Sequence, residues 1–211
     1  MDECTNIILS IVTALTAIIA IIISFVQIIK NNKQALFERR LRAYLKIKWM
    51  KSLCDENKSI FNSYMCDLEE GPVKIMDLFF MSMTNVSYLE EIQECIKHVL
   101  EPDYQRKYLI KIEELRSLCE EVRMIFSENL CHTLADFIYY YEEMLVSIYK
   151  YQVVVNNISK YCIQNKLPFP DDNSLENSKR KEMIKYISGT FELAEKLDSS
   201  TLDKFRSKIK F

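Results

Sequence analysis

Histidine, the side chain best placed for acid–base and metal chemistry near neutral pH, is scarce in this chain. There are only two histidines, His98 and His132. Each follows a glutamate by four residues, Glu94 and Glu128, and each has a cysteine nearby, Cys95 and Cys131. On an α-helix, residues four apart share a face, so two such helices could together present two carboxylates and two imidazoles to a divalent cation or to a substrate proton. Di-iron bundles, by contrast, space the pair as Glu-x-x-His and add further inward-facing glutamates. Glu–His pairs four apart are otherwise ordinary helix-surface chemistry. Serine-hydrolase elbows, zinc-protease helices and phosphate loops are absent. The all-helical HEPN ribonucleases carry an arginine, four to six intervening residues and then a histidine, whereas Arg123 precedes His132 by eight intervening residues. The sequence therefore names no catalytic residue, no metal ligand and no cofactor, and the reading is a non-enzyme. The alternative from another class is a membrane-tethered enzyme using Glu94, His98, Glu128 or His132.

The seven cysteines, at 4, 54, 66, 95, 119, 131 and 162, are scattered and contain no C-x-x-C pair. They read as buried free thiols in a reducing compartment. Aromatic residues are more concentrated. Phe137-Ile138-Tyr139-Tyr140-Tyr141 is followed by Tyr149 and Tyr151, and on a helix these spread around the circumference. Tyr139, Tyr140, Tyr149 and Tyr151 are thus either a partner surface or bundle packing with hydroxyls reaching outward.

What must position these residues is helix. Glycine occurs only at 71 and 189, which disfavours folds that depend on glycine turns and phosphate-cradling loops. The expected class is all-α, an N-terminal transmembrane helix followed by a cytoplasmic helical bundle. Residues Ile7 to Ile29 contain no charged side chain and as a helix would reach about 34 Å, enough for a hydrocarbon core of roughly 30 Å. A cleaved signal peptide would want a basic start, a shorter apolar run and a small-residue cleavage site, and Asp2, Glu3 and the Gln27-Ile28-Ile29-Lys30 ending do not supply them. Small residues recur at Thr16, Ala20 and Ser24, a face on which two membrane helices could pack.

Charge sets the direction. Between Lys30 and Lys51 stand eight basic residues, among them Lys30, Lys33, Arg39, Arg40, Arg42 and Lys46, against Glu38 alone. The positive-inside rule then places the N-terminus outside and the C-terminal domain in the cytoplasm of a single-pass cell-membrane protein. The same residues could instead lie along an anionic leaflet. Residues 52–211 carry 20 basic and 27 acidic side chains, a balance that argues against a nucleic-acid partner.

The expected organisation is a short extracytoplasmic N-terminus (1–6), the span (7–29), a basic amphipathic juxtamembrane helix (30–56) that lies on the leaflet or continues as a stalk, a helical bundle (57–166), a linker (167–178) and a C-terminal helical pair (179–211). Apolar stripes predict three bundle helices. One lies between Pro72 and Pro102, through Ile75, Phe79, Met83, Val86, Leu89, Ile92, Ile96 and Val99. Another runs from Leu109 to Phe126, and a third from Leu134 to Val155.

An acidic N-terminus, one span and then Leu36-Phe37-Glu38-Arg39-Arg40-Leu41-Arg42-Ala43-Tyr44, with the later Arg123-Met124-Ile125-Phe126-Ser127-Glu128-Asn129-Leu130, resembles a loose group of uncharacterised bacterial single-pass membrane proteins with helical cytoplasmic domains. Some proteins of that kind sit with antiviral systems or prophages. The resemblance implies a defence-linked role and carries over no functional residue. Expected partners are the lipid bilayer and a protein, either another chain or a second copy, with a passive membrane scaffold as a further alternative.

Overall fold

A computed structural model describes residues 3–70, 76–126, 128–170 and 173–209. Among these residues there are six α-helices, one 3-10 helix and no strand. The first element, α1, runs unbroken from Glu3 to Glu70, about 100 Å at the ordinary rise. Its sequence contains neither proline nor glycine, the two residues that most readily end a helix. The junction near Asn31-Asn32, where a stalk or a leaflet-bound helix was expected, is continuous helix, so the 30–56 and 57–166 segments do not begin as separate elements.

Along α1 the surroundings change completely. Every residue from Ile7 to Ile29 is exposed, whereas Ala43, Ile47, Met50, Leu53, Cys54 and Phe61 are buried in the single hydrophobic core. The buried set steps by three and four, the period that keeps one helical face toward a core.

That core is built with α2 (Met76–Met83), a 3-10 helix (Glu90–Ile96), α3 (Pro102–Ile125), α4 (Glu128–Asn165), α5 (Ser174–Lys196) and α6 (Ser199–Ser207). The α4 helix is central, packed against α3 on one side and α5 on the other. Cross-contacts fix the directions. Cys119 meets the Ala135 carbonyl and Tyr108 stacks on Tyr149, so α3 and α4 are antiparallel. Tyr151 bonds Glu176 and Thr190 bonds the Tyr140 carbonyl, so α4 and α5 are antiparallel too. Phe61 stacks on Phe191 at 4.3 Å, which closes α1 onto α5.

The stripe between Pro72 and Pro102 does not form one helix; Pro72 and Ile75 lie outside the described residues. The α2 helix stops at Met83, and the chain turns through Thr84-Asn85-Val86-Ser87 before the 3-10 segment. Thr84 Oγ1 donates to the Phe80 carbonyl at 2.8 Å, and short polar and β-branched residues of this kind compete for the backbone groups a helix would use. The apolar positions are nonetheless buried, since Phe79, Met83, Leu89, Ile92, Ile96 and Val99 all enter the core. Tyr141 on α4 donates its buried hydroxyl to the Met83 carbonyl, and Tyr149 donates to the Val99 carbonyl at 3.1 Å. Two tyrosines therefore pin the irregular segment where helical hydrogen bonds are missing.

Helix ends follow local chemistry. Pro102 opens α3 at its first turn, where its missing N–H costs nothing. The Asn173 side chain caps α5 by accepting from Leu175 and Glu176 N–H groups, and Asp198 caps α6. The α4 helix ends where Lys166 takes a positive φ of 56° and the Leu167 N–H reaches back to the Cys162 carbonyl at 2.9 Å, the pattern of a left-handed helix cap.

The C-terminal segment expected to stand apart as a pair is instead integral. The α5 helix starts at Ser174 rather than near Lys179, and Met183, Ile187, Phe191 and Ala194 belong to the common core. Gly189 shows how close the approach is: a Cβ there would meet the Tyr140 ring at 2.5 Å. Any side chain at this position would force the Tyr140 ring to shift where α5 crosses α4.

Candidate functional site at the junction of the long helix and the bundle

Arg40 sits one turn before the first buried residue of α1. Its Nε donates to the Ile125 carbonyl at 2.9 Å, and its Nη1 donates to the Lys208 carbonyl at 3.1 Å. These carbonyls close α3 and α6, 85 and 168 residues away in sequence. Helix C-termini leave carbonyls unpaired and carry partial negative charge, so one guanidinium satisfies two helix ends at once. Its planar fork of donors suits this, and a lysine would not reproduce it. The Arg40 guanidinium also lies 5.7 Å from the Phe126 ring centroid. Beneath it Phe205 packs against Phe126 at 4.3 Å and against Tyr44 at 5.3 Å.

Lys46 occupies the next turns. Its ammonium lies 3.9 Å from the Tyr88 ring centroid, and the Lys111 ammonium lies 5.1 Å from the same ring. Burial pushes the Lys46 amine below its ordinary range, with Glu114 and Glu121 working in the opposite direction. Lys111 is held by Glu114 at 2.8 Å and by Glu91 at 3.6 Å. Two cations about one aromatic ring are tolerated because Glu114, Glu91 and Glu121 lie nearby and the ring faces carry negative potential.

The six basic residues expected to flank a membrane thus divide. Lys30, Lys33, Arg39 and Arg42 are exposed, while Arg40 and Lys46 are engaged in the bundle. The small residues Thr16, Ala20 and Ser24 lie on one exposed face. Thr16 donates to the Thr13 carbonyl at 2.9 Å and Ser24 to the Ala20 carbonyl at 2.8 Å, so both hydroxyls are satisfied within the helix.

Of the four tyrosines considered as a partner surface, Tyr149 and Tyr151 are in the core. Tyr151 is wholly buried and donates to Glu176 Oε1 at 2.8 Å; burial pushes the Tyr149 phenol up to about 12. Tyr140 is half-buried over Gly189 and meets Tyr186 edge-on at 5.9 Å. Only Tyr139 remains exposed. The helix turns these side chains successively toward α3 and α5, and α5, which sequence reasoning set apart, covers the face it left open.

His98 is not brought together with its expected glutamate. Glu94 lies in the 3-10 segment, where three residues make a turn and positions four apart no longer align. His98 Nδ1 instead contacts Glu101 at 2.7 Å and its ring stacks on Tyr104 at 4.3 Å, while Glu94 pairs with Lys97 at 3.2 Å. His132 is exposed, and the Glu128 side chain lies outside the described residues. No group of three metal-capable side chains occurs among the described residues. Cys54, Cys95, Cys119, Cys131 and Cys162 are buried, and burial raises the thiols of Cys54, Cys95 and Cys119 away from the reactive thiolate.

One charged pair escaped the sequence reading. Glu142, 4% exposed at its side chain, accepts from Arg116 Nε at 2.6 Å. Burial raises its carboxyl above the ordinary range, and the arginine only partly offsets this. The pair spans α3 and α4, so no spacing rule within one helix could find it; a glutamate inside an apolar stripe was the available signal. Beside it a groove of about 390 Å³ runs between α3 and α4, walled by the stacked Tyr108 and Tyr149 rings. Comparisons with protein-family models, with curated proteins and with solved structures give no match for this chain.

Proposed function

We propose that this protein is a single-pass membrane protein whose bundle is a cytoplasmic interaction module, coupling a binding event to the membrane through one continuous helix. The observation that carries the reading is α1 itself. It is the one helix among the described residues long and apolar enough to cross a membrane, and without a break it supplies Ile47, Met50 and Leu53 to the bundle core. A rigid helix shared between two solvents transmits displacement or rotation, whereas a flexible linker would dissipate it. The basic residues following the apolar segment support an outside N-terminus and a cytoplasmic bundle at the cell membrane. The exposed Thr16, Ala20 and Ser24 face supports self-association, and the acidic balance of the bundle supports a protein partner over nucleic acid. A defence role enters through the resemblance in the Leu36–Tyr44 and Arg123–Leu130 segments.

Topology is tested in intact cells. Cys4 reacts with an impermeant maleimide, and a Phe211→Cys variant is unreactive at its new thiol; the reverse pattern removes the topology. Coupling is tested by inserting a flexible Gly-Ser segment after Asn32, which preserves both anchor and bundle. Phage plating and membrane potential are compared for the native chain, the insertion variant and a double His98→Ala, His132→Ala variant. Loss on insertion with retention in the histidine variant fits coupling by a binding module. Retention on insertion sinks the coupling, and loss in the histidine variant favours chemistry at those side chains.

A further inference from the structure

The tip of the bundle nearest the apolar segment carries a basic cluster whose place beside α1 only the tertiary contacts reveal. Lys204, Arg206 and Lys208, at the end of α6, are all exposed, and Asp203 is the only acidic residue within that helix. The Arg40 hydrogen bond to the Lys208 carbonyl and the Phe205–Tyr44 contact set this end of α6 beside the start of the buried part of α1. Helical side chains lean toward their own N-terminus, so the carbonyls bound by Arg40 lie at its level or closer to the apolar segment. Arg40 follows Ile29 by about 16 Å of helix. The headgroup layer takes up roughly 5–8 Å of that distance, leaving a gap of about one Debye length at physiological salt. Met124, on the last turn of α3 and adjacent to Ile125, is 82% exposed, the highest value among the exposed large hydrophobic residues. Arg39 and Met124 line one shallow surface there with Glu120 and Glu121, which stand about a turn further from the apolar segment because α3 runs antiparallel to α1.

Resting on the membrane reading above, we propose that this tip, comprising the Lys204–Lys208 end of α6 with Met124 of α3, docks on the anionic lipid leaflet from which α1 emerges. Charge complementarity and continuity with the apolar helix select that occupant. Lys30, Lys33 and Arg39 bring the stalk to the same surface, and Arg40 holds the tip to the stalk. The bundle is then fixed in tilt and azimuth on the bilayer rather than swinging from its anchor. Each basic residue near an anionic surface contributes roughly a five-fold preference, so three together outweigh Asp203.

The test uses the full chain in nanodiscs of phosphatidylcholine alone or of phosphatidylcholine with phosphatidylglycerol. Amide hydrogen exchange is followed across residues 199–207, with α4 as the internal control for folding. Expected is exchange in α6 slowed by about ten-fold in the anionic discs, lost in 0.5 M salt and lost in a K204Q/R206Q/K208Q variant, with α4 unchanged throughout. Equal α6 exchange in the two lipids overturns the proposal, as does protection that survives the triple substitution. Resistance of the native chain to carbonate extraction is measured separately. Failure there removes the anchor, whereas extraction resistance with unresponsive α6 exchange removes only the docking.

Discussion

The two halves of α1 obey the same backbone rules and opposite packing rules. From Ile7 to Ile29 the helix is apolar around its circumference and exposed throughout; from Ala43 to Phe61 only one stripe is apolar, and it is buried. A helix apolar around its whole circumference has no polar face to give to water and fits lipid, whereas a striped helix fits a bundle. The difference teaches that the distribution of side chains, rather than helix propensity, assigns each half its surroundings. Between them Arg40 marks the point where the stalk becomes part of the fold.

Placing the same charge in each half gives the sharpest break. An Ile47→Asp substitution puts an unpaired carboxylate at a fully buried position and is expected to cost more than about 4 kcal/mol, enough to unfold the bundle. Urea denaturation followed by circular dichroism measures it, with extraction from membranes unchanged. Ile18→Asp should do the reverse. It leaves bundle stability as it was and weakens membrane partitioning by about 3 kcal/mol, read as release from membranes in carbonate. If Ile18→Asp destabilises the bundle equally, the two halves are not independent.

The junction is sharpened by neighbours. Arg40→Met strips two helix ends of their donor and is expected to lose about 2 kcal/mol of stability, while Arg39→Gln, one residue away and exposed, should change it by less than about 0.5 kcal/mol. Both are read from urea midpoints. Equal effects would show that the two carbonyls are served by solvent.

Titration separates the halves again, because the apolar half contains no ionisable side chain. The folded-state carboxyl of Glu142 is raised by burial above its ordinary 4.5. A raised carboxyl binds its proton more tightly in the folded chain, so its contribution is greatest below the unfolded value and declines as pH rises through the folded one. Arg116→Gln removes the opposing charge and should deepen that decline. Native and variant stabilities should nearly coincide near pH 4 and differ by about 2 kcal/mol at neutral pH, a modest figure because Arg116 is 60% exposed at its side chain. Parallel pH profiles would show that Arg116 does not compensate the buried carboxylate.

Much of the fold was legible because its signals are local. The uncharged Ile7–Ile29 run, the scarcity of glycine and the three- and four-residue stripes each depend on neighbours within a few turns, and they determined an all-helical chain with one apolar segment of membrane length. The burial of Phe79, Leu89, Ile92 and Val99 was also legible, although the break at Thr84 was not, since apolar spacing does not report where side chains capture backbone carbonyls.

The partners of particular side chains were decided only by the tertiary structure. Arg40 counted as one basic residue in a membrane flank until α3 and α6 brought their carbonyls to it. Tyr151 stood open between surface and packing until Glu176 arrived on α5, and Gly189 had no stated purpose until Tyr140 occupied the space a Cβ would need. Periodicity tells which face of a helix avoids water. It contains no information about which distant helix covers that face, because that choice depends on the joint shape and charge of surfaces separated by up to 168 residues.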